Sequence, residues 1–291
     1  MASFITKDSK PGPGVAKDAP EKRRFFLFFE LLGAKIGKLI GLNFIYILFL
    51  IPLLFGLTFS IAVNPDIKSL SDILRMPPLT IKPDYISLIV LFVSAFLTGP
   101  ATAGMTYVLR NLQRREHTWV FSDFWEHFRK NYIQGITVSL LDLVVYPLLY
   151  VGFWFYVYVM PQDMPQMGTF MPYVFAGFIG LVAIIYTWTH YYIYTMMVTF
   201  ELKFSKLFKN SVIFAIGKLP LNLLITLIII ALVYVSLVIF AYSTIAFAAI
   251  FALILLSLIG FITVFSTYPT IDTLMIKRVS ENKGRVLNTR G

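Results

Sequence analysis

The chain has 291 residues, 58% hydrophobic and only 14% charged, with a formal net charge of +10 and no cysteine. Soluble domains run near half apolar and a quarter charged, so a water-soluble fold is excluded; the missing thiols exclude a disulfide framework, a thiol nucleophile and a thiolate metal site. The basic residues lie in short segments between apolar blocks rather than in one patch with stacking aromatics, which argues against nucleic acid as a partner and for membrane topology.

Residues 1–24 are polar, with a Pro-Gly-Pro-Gly run from Pro11 to Gly14 and the cluster Lys22, Arg23 and Arg24. So little apolar surface cannot order a segment, and a disordered cytosolic tail is expected. A signal peptide is not, because the apolar stretch behind the cluster is too long and lacks a small-residue cleavage site. Six spans follow by length and polarity, at 39–63, 85–109, 133–159, 173–199, 219–242 and 244–268. Each exceeds the roughly 20 residues a bilayer requires at about 1.5 Å per residue. The last two share one uncharged stretch, split into a hairpin at 241–244 because a single helix of that length would exceed twice the hydrocarbon thickness.

Of the 25 lysines and arginines, all but Lys68, Arg75 and Lys82 fall on one side of this scheme. The positive-inside rule places that side, with both termini and the second and fourth loops, in the cytosol. The outer loops are 64–84, rich in proline, and 160–172. The expected fold is an all-α membrane protein with six transmembrane helices and short amphipathic cytosolic helices: a tail at 1–24, a membrane domain at 25–279 and a second tail at 280–291.

In the second loop Phe121, Phe124, Trp125, Phe128 and Tyr132 recur every three or four residues, with Asp123, Glu126, Arg129 and Lys130 between them. That periodicity predicts a short amphipathic helix, capped by Ser122 with Asp123 at its positive end. The fourth loop repeats the design, with Phe200, Phe204, Leu207 and Phe208 against Lys203, Lys206 and Lys209. Phe-Arg-Lys-Asn at 128–131 and Phe-Lys-Asn at 208–210 stand at comparable places, which suggests an internal duplication of a helix-loop-helix unit. Both helices admit two readings: lying on the anionic inner leaflet with lysine and arginine reaching headgroups, or docking a soluble partner.

The stretch from Thr98-Gly-Pro-Ala-Thr-Ala-Gly104 through Arg115, followed by Val120-Phe-Ser-Asp-Phe-Trp-Glu-His-Phe-Arg-Lys-Asn131, resembles the signature of the YesL-like family of bacterial integral membrane proteins, a domain of unknown function. Leu32 to Leu39, and Lys209 through Pro220, are similar to its other recurring segments. The resemblance spans about residues 28–279 and implies a bacterial inner-membrane protein with a role in carbohydrate import or its control, with components of ABC-type sugar transporters as partners. It supplies no catalytic residues. The long N-terminal tail and first outer loop depart from the usual shorter form, and the glutamate-alanine-alanine-glycine loop of an importer permease is absent.

Asp142 and His190 each sit about nine residues inside antiparallel spans, a similar depth of roughly 14 Å, so they can meet across the bundle. An ionisable group there costs about 3 kcal/mol and faces the interior. The pair reads either as a proton- or solute-sensing element or as an interhelical hydrogen bond that sets register. Gly99 and Pro100 predict a kink, serving as a hinge or as a static bend. Gly33, Gly37 and Gly41 form a smooth stripe for packing within the chain or for self-association. Tyr146, Tyr150, Trp154, Tyr156, Tyr158, Trp188, Tyr191, Tyr192 and Tyr194 read as interfacial belt and core filling or as a stacking surface for sugar rings. No zinc signature, phosphate-cradling loop, nucleophile elbow or carboxylate pair is present, and His117, His127 and His190 are too scattered for a metal site. The expectation is a non-enzymatic protein without cofactor, either an accessory to carbohydrate uptake or a stand-alone small-solute transporter or channel.

Overall fold

The computed structural model describes residues 23–63, 85–163 and 170–277. Residues 1–22 of the expected N-terminal tail, the C-terminal tail and most of both outer loops, with Lys68, Arg75 and Lys82, lie outside the described residues, while Arg24, expected in the disordered tail, instead opens the first helix. All the described elements are helical. They are α1 (Arg24–Ala62), α2 (Tyr85–Gln113), α3 (Val120–Lys130), α4 (Tyr132–Trp154), α5 (Phe170–Met197), α6 (Phe204–Gly217), α7 (Leu219–Tyr242), α8 (Thr244–Ile250) and α9 (Leu256–Ile271). A π-helical turn at Phe155–Val159 and a four-residue helix at Met160–Asp163 prolong α4, another π-helical turn at Phe251–Leu255 joins α8 to α9, and a third at Asp272–Lys277 follows α9.

Six continuous helical stretches are long and apolar enough to cross a membrane, the sixth made of α8 and α9 with their π-helical turns. Their surfaces are inverted relative to a soluble bundle. Along α7 the large side chains Leu223, Leu224, Leu227, Ile230 and Val235 are all more than half exposed, while Asn222, Ile225 and Ser236 are buried. Water would not tolerate that apolar exterior, whereas lipid does, provided every backbone group is satisfied within a helix. The chain is a multi-pass membrane protein by this criterion.

Two apolar clusters hold the bundle. One joins α1, α2, α3 and α9 through Leu39, Leu42, Leu109, Phe124 and Phe261; the other joins α2 and α4 to α5 and α6 through Ala103, Val138, Tyr192, Met196 and Leu207. The first helix starts well before residue 39, because Leu27, Phe28, Leu31 and Leu32 repeat at helical spacing and pack on this first cluster. The Phe28 ring stacks on Phe261 at 5.4 Å. The hairpin between the fifth and sixth spans turns on Ser243 alone, whose Oγ accepts the Ala246 amide at 3.2 Å and caps α8.

Ser122 does not cap α3. The helix begins one turn earlier, with Trp119 as its N-cap and no capping side chain; Asp123 instead reaches back, its Oδ2 accepting the Trp119 amide at 3.0 Å. The unit of span, short helix, one-residue break and next span occurs twice, as α2–α3–α4 and α5–α6–α7. The two sequence motifs do not coincide within it, however. Asn131 is the break between α3 and α4, whereas Asn210 lies inside α6 and the second break falls at Lys218.

Candidate functional site

Asp142 on α4 and His190 on α5 meet, with Nε2 of the imidazole 2.8 Å from Oδ1 of the carboxylate. The same Oδ1 accepts the Tyr186 hydroxyl at 2.7 Å, and His190 Nδ1 lies 3.0 Å from the Tyr186 carbonyl. A carbonyl only accepts, so Nδ1 must carry its proton. The contact between Nε2 and Oδ1 then requires one further proton, held as imidazolium and carboxylate or as neutral imidazole and carboxylic acid. Either way the pair bears no net charge, which is how two ionisable groups persist at membrane depth. Both side chains keep about a quarter of their surface accessible, 20% and 26%, so the pair is not sealed in the core.

What it faces is an open pocket of about 380 Å³ lined by the first, second, third, fourth and sixth spans. Besides Asp142 and His190, the wall carries the hydroxyls of Tyr46, Thr98, Thr102, Thr106, Ser139 and Tyr194. Several of these protons are already committed: Thr102 donates to the Thr98 carbonyl and Thr106 to the Thr102 carbonyl. The 2.9 Å contact between Tyr46 and Thr102 is therefore donated by the tyrosine. The hydroxyl oxygens remain as acceptors in a mainly apolar, net-neutral pocket of the size that holds small-molecule ligands. Among the described residues no group of three His, Cys, Asp or Glu side chains is placed to hold a metal.

Gly99 and Pro100 sit in this wall, and α2 runs helical through both. Glycine is required here by close approach: α4 crosses so tightly that a Cβ on Gly99 would collide with the Gly135 carbonyl and the Ser139 hydroxyl. A Cβ on Gly135 would stand 2.6 Å from the Pro100 nitrogen. The reading of Gly33, Gly37 and Gly41 as a packing stripe within the chain is corrected, because a Cβ added at any of the three meets nothing within 4 Å.

A family model described as "Protein of unknown function, DUF624" matches residues 39–153. Over that stretch the chain is similar to an uncharacterised domain family. The matched segment covers most of the first three spans, with Gly99, Pro100 and Asp142, and ends before His190. No curated protein and no solved structure matches the chain.

The aromatic face of α3 is core rather than a free docking surface, which corrects the placement expected for Phe124 and Phe128. They are 1% and 6% exposed and meet Phe49 of α1 at ring distances of 5.5 and 5.0 Å. Trp125 packs beside them, with the Arg129 guanidinium 4.9 Å above its ring. The cations stay outside: Arg129, Lys130, Lys203, Lys206 and Lys209 are all exposed. Of the aromatics weighed for sugar stacking, Tyr146, Tyr191 and Tyr194 line the cavity; Tyr192 is buried and donates to Asn222 at 2.6 Å, and Trp188 donates to Thr226 at 2.8 Å.

Four polar residues to which the sequence reading gave no partner tie the helices together. Asn43, fully buried, bonds the π turn of the sixth span. Asn222 donates to the Ala215 carbonyl at 2.8 Å, closing the end of α6. Arg110 donates to the Val198 carbonyl just past the end of α5, and Arg24 to the Phe265 carbonyl at 2.6 Å. Asn43 and Asn222 were visible as isolated polar residues within apolar runs, the usual mark of a buried partner, whereas Arg24 and Arg110 stood at the edges of basic clusters. The partners of the four were not visible.

Proposed function

We propose that the chain binds a small, uncharged polar solute between its spans and carries it across the membrane, with the shared proton of Asp142 and His190 as the element that responds to binding. One observation carries this: the open pocket of about 380 Å³ reaches both side chains. A register-setting hydrogen bond needs no such pocket, and a conducting or carrying protein does. The charge distribution supports an orientation with both termini in the cytosol of a bacterial inner membrane, and no catalytic constellation supports an enzyme. The test uses purified protein in liposomes containing a pH-sensitive dye. Saturable entry of an uncharged polar solute, lost in Asp142→Asn with His190→Gln, is the expected result. Liposomes that pass neither solute nor protons overturn the reading.

A second reading is favoured by the exposed lysines Lys203, Lys206 and Lys209 on α6, a basic face open to an acidic partner. In that reading the chain, as a YesL-like protein, assists ABC-type carbohydrate uptake through a docked transporter component. Recovery of no transporter component in a mild-detergent pull-down counts against it.

A further inference from the structure

A second pocket, of about 510 Å³, opens at the break between α3 and α4 and is closed on its other side by the connector 198–203 that leads into α6. We propose that it binds a phosphate group, presented by a lipid headgroup or by a soluble phosphate ester. Lys130 and Lys203 line it, and both are exposed. Among the described residues Lys130 pairs with Glu201 at 3.5 Å, whose side chain is 90% exposed, so in water the pair holds Lys130 weakly.

The wall is backed by a buried cation. Arg110 is 8% exposed and gives its hydrogen bonds to the Val198 carbonyl, the Thr199 hydroxyl and the Asn111 side-chain oxygen, with the Tyr107 ring 4.5 Å beneath its guanidinium. All four partners are neutral, and among the described residues no carboxylate lies within ion-pair distance of it. Val198 and Thr199 are themselves pocket residues, so an anion seated there sits one residue from the charge it compensates.

The pocket also receives the start of α6. Lys203 is its N-cap, no side chain caps it and its first turn holds no acidic residue. The amides of Lys206 and Leu207 close onto the Lys203 carbonyl, which leaves those of Phe204 and Ser205 at the positive helix end without an intrahelical acceptor. The neighbouring carboxamides each commit one of their two amide hydrogens, Asn131 to the His127 carbonyl at 3.0 Å and Gln134 to the Leu202 carbonyl at 2.8 Å, and each has a second to give. The lysines and the helix end hold the anion, while Ile133, Phe200 and Leu202 supply an apolar margin suited to the glycerol and first methylenes of a lipid.

The experiment follows thermal unfolding of the full chain in neutral detergent, titrated with inorganic phosphate, phosphatidylglycerol or dioleoylglycerol, which has no phosphate. Phosphate or phosphatidylglycerol raises the midpoint saturably and dioleoylglycerol does not; a response to phosphatidylglycerol alone assigns a headgroup, and one to phosphate a soluble ester. Lys130→Gln and Lys203→Gln each weaken the apparent affinity roughly fivefold, Glu201→Gln strengthens it, and Lys209→Gln, on the same helix outside the pocket, changes nothing. These side chains are exposed, so the unliganded midpoints match the parent. An unchanged titration in the double lysine variant, equal weakening by Lys209→Gln, or no response to either phosphate compound overturns the proposal.

Discussion

Asn43 of the first span accepts the backbone amide of Ser257 at 2.9 Å while its own Nδ2 donates to the carbonyls of Phe251 and Ala252, at 2.8 and 2.7 Å. Phe251 and Ala252 open the π turn that interrupts the sixth span and Ser257 lies just past it, where the regular ladder of hydrogen bonds is broken. One side chain from another helix restores what the turn gives up. Asn43→Leu keeps the volume and removes all three bonds, and should lower stability by about 2 kcal/mol, read as a reduced thermal midpoint in detergent. An unshifted midpoint would show that the turn satisfies itself.

Arg24 plays the same part at the other end of α9. Pro269 has no amide hydrogen, so the carbonyl of Phe265 one turn before it loses its helical donor, and the Arg24 guanidinium supplies one at 2.6 Å. Arg24→Gln is expected to destabilise by about 1 kcal/mol. Adding Pro269→Ala returns an amide to that carbonyl, so the Arg24 substitution should become nearly silent in the double variant.

Asp142 and His190 should be strongly coupled in a double-mutant cycle. Asp142→Leu alone leaves two donors, Tyr186 and His190, facing apolar surface, whereas the further change His190→Phe removes one of them. The expected coupling energy is about 1–3 kcal/mol, measured by reversible unfolding in detergent. Additive effects would mean that the two groups do not share a proton.

Glycines at two places should respond oppositely. Gly135→Ala drives a methyl into the Pro100 backbone and should destabilise by about 3 kcal/mol, because backbone cannot step aside. Gly37→Ala meets open space on a helix and should stabilise by as much as about 1 kcal/mol. Loss of stability at Gly37 would reveal a second molecule against that stripe.

His127 lies outside the spans, stacked on Tyr107 with ring centroids 3.2 Å apart. Burial lowers its pKa below the ordinary histidine value of about 6.5, more than the Asp123 carbonyl that receives its Nδ1 proton raises it. A histidine held neutral in the fold costs nothing above that value and resists protonation below it, when the unfolded chain takes up the proton. Stability should therefore be full above about pH 6.5 and fall as the pH drops below it. His127→Gln should flatten that slope between pH 7 and 5.

The spans, their number and the hairpin at Ser243 were legible in the chain because transfer into hydrocarbon depends on local composition, summed over some twenty residues at a time. The fifth span was read to the residue, at Leu219–Tyr242. The depth of Asp142 and His190 was legible for the same reason, since rise per residue converts position into height. Which way each helix faces was not. In a soluble helix the core side announces itself by polarity, but here lipid and core are both apolar, so Leu224 on the outside and Ile225 on the inside of α7 read alike. Helix rotation, and with it the cavity, the hold of Asn43 on the π turn and the burial of Phe124 and Phe128, was decided only when the spans packed, by close crossings such as Gly99 on Gly135 and by the need of every polar group to find a partner away from water.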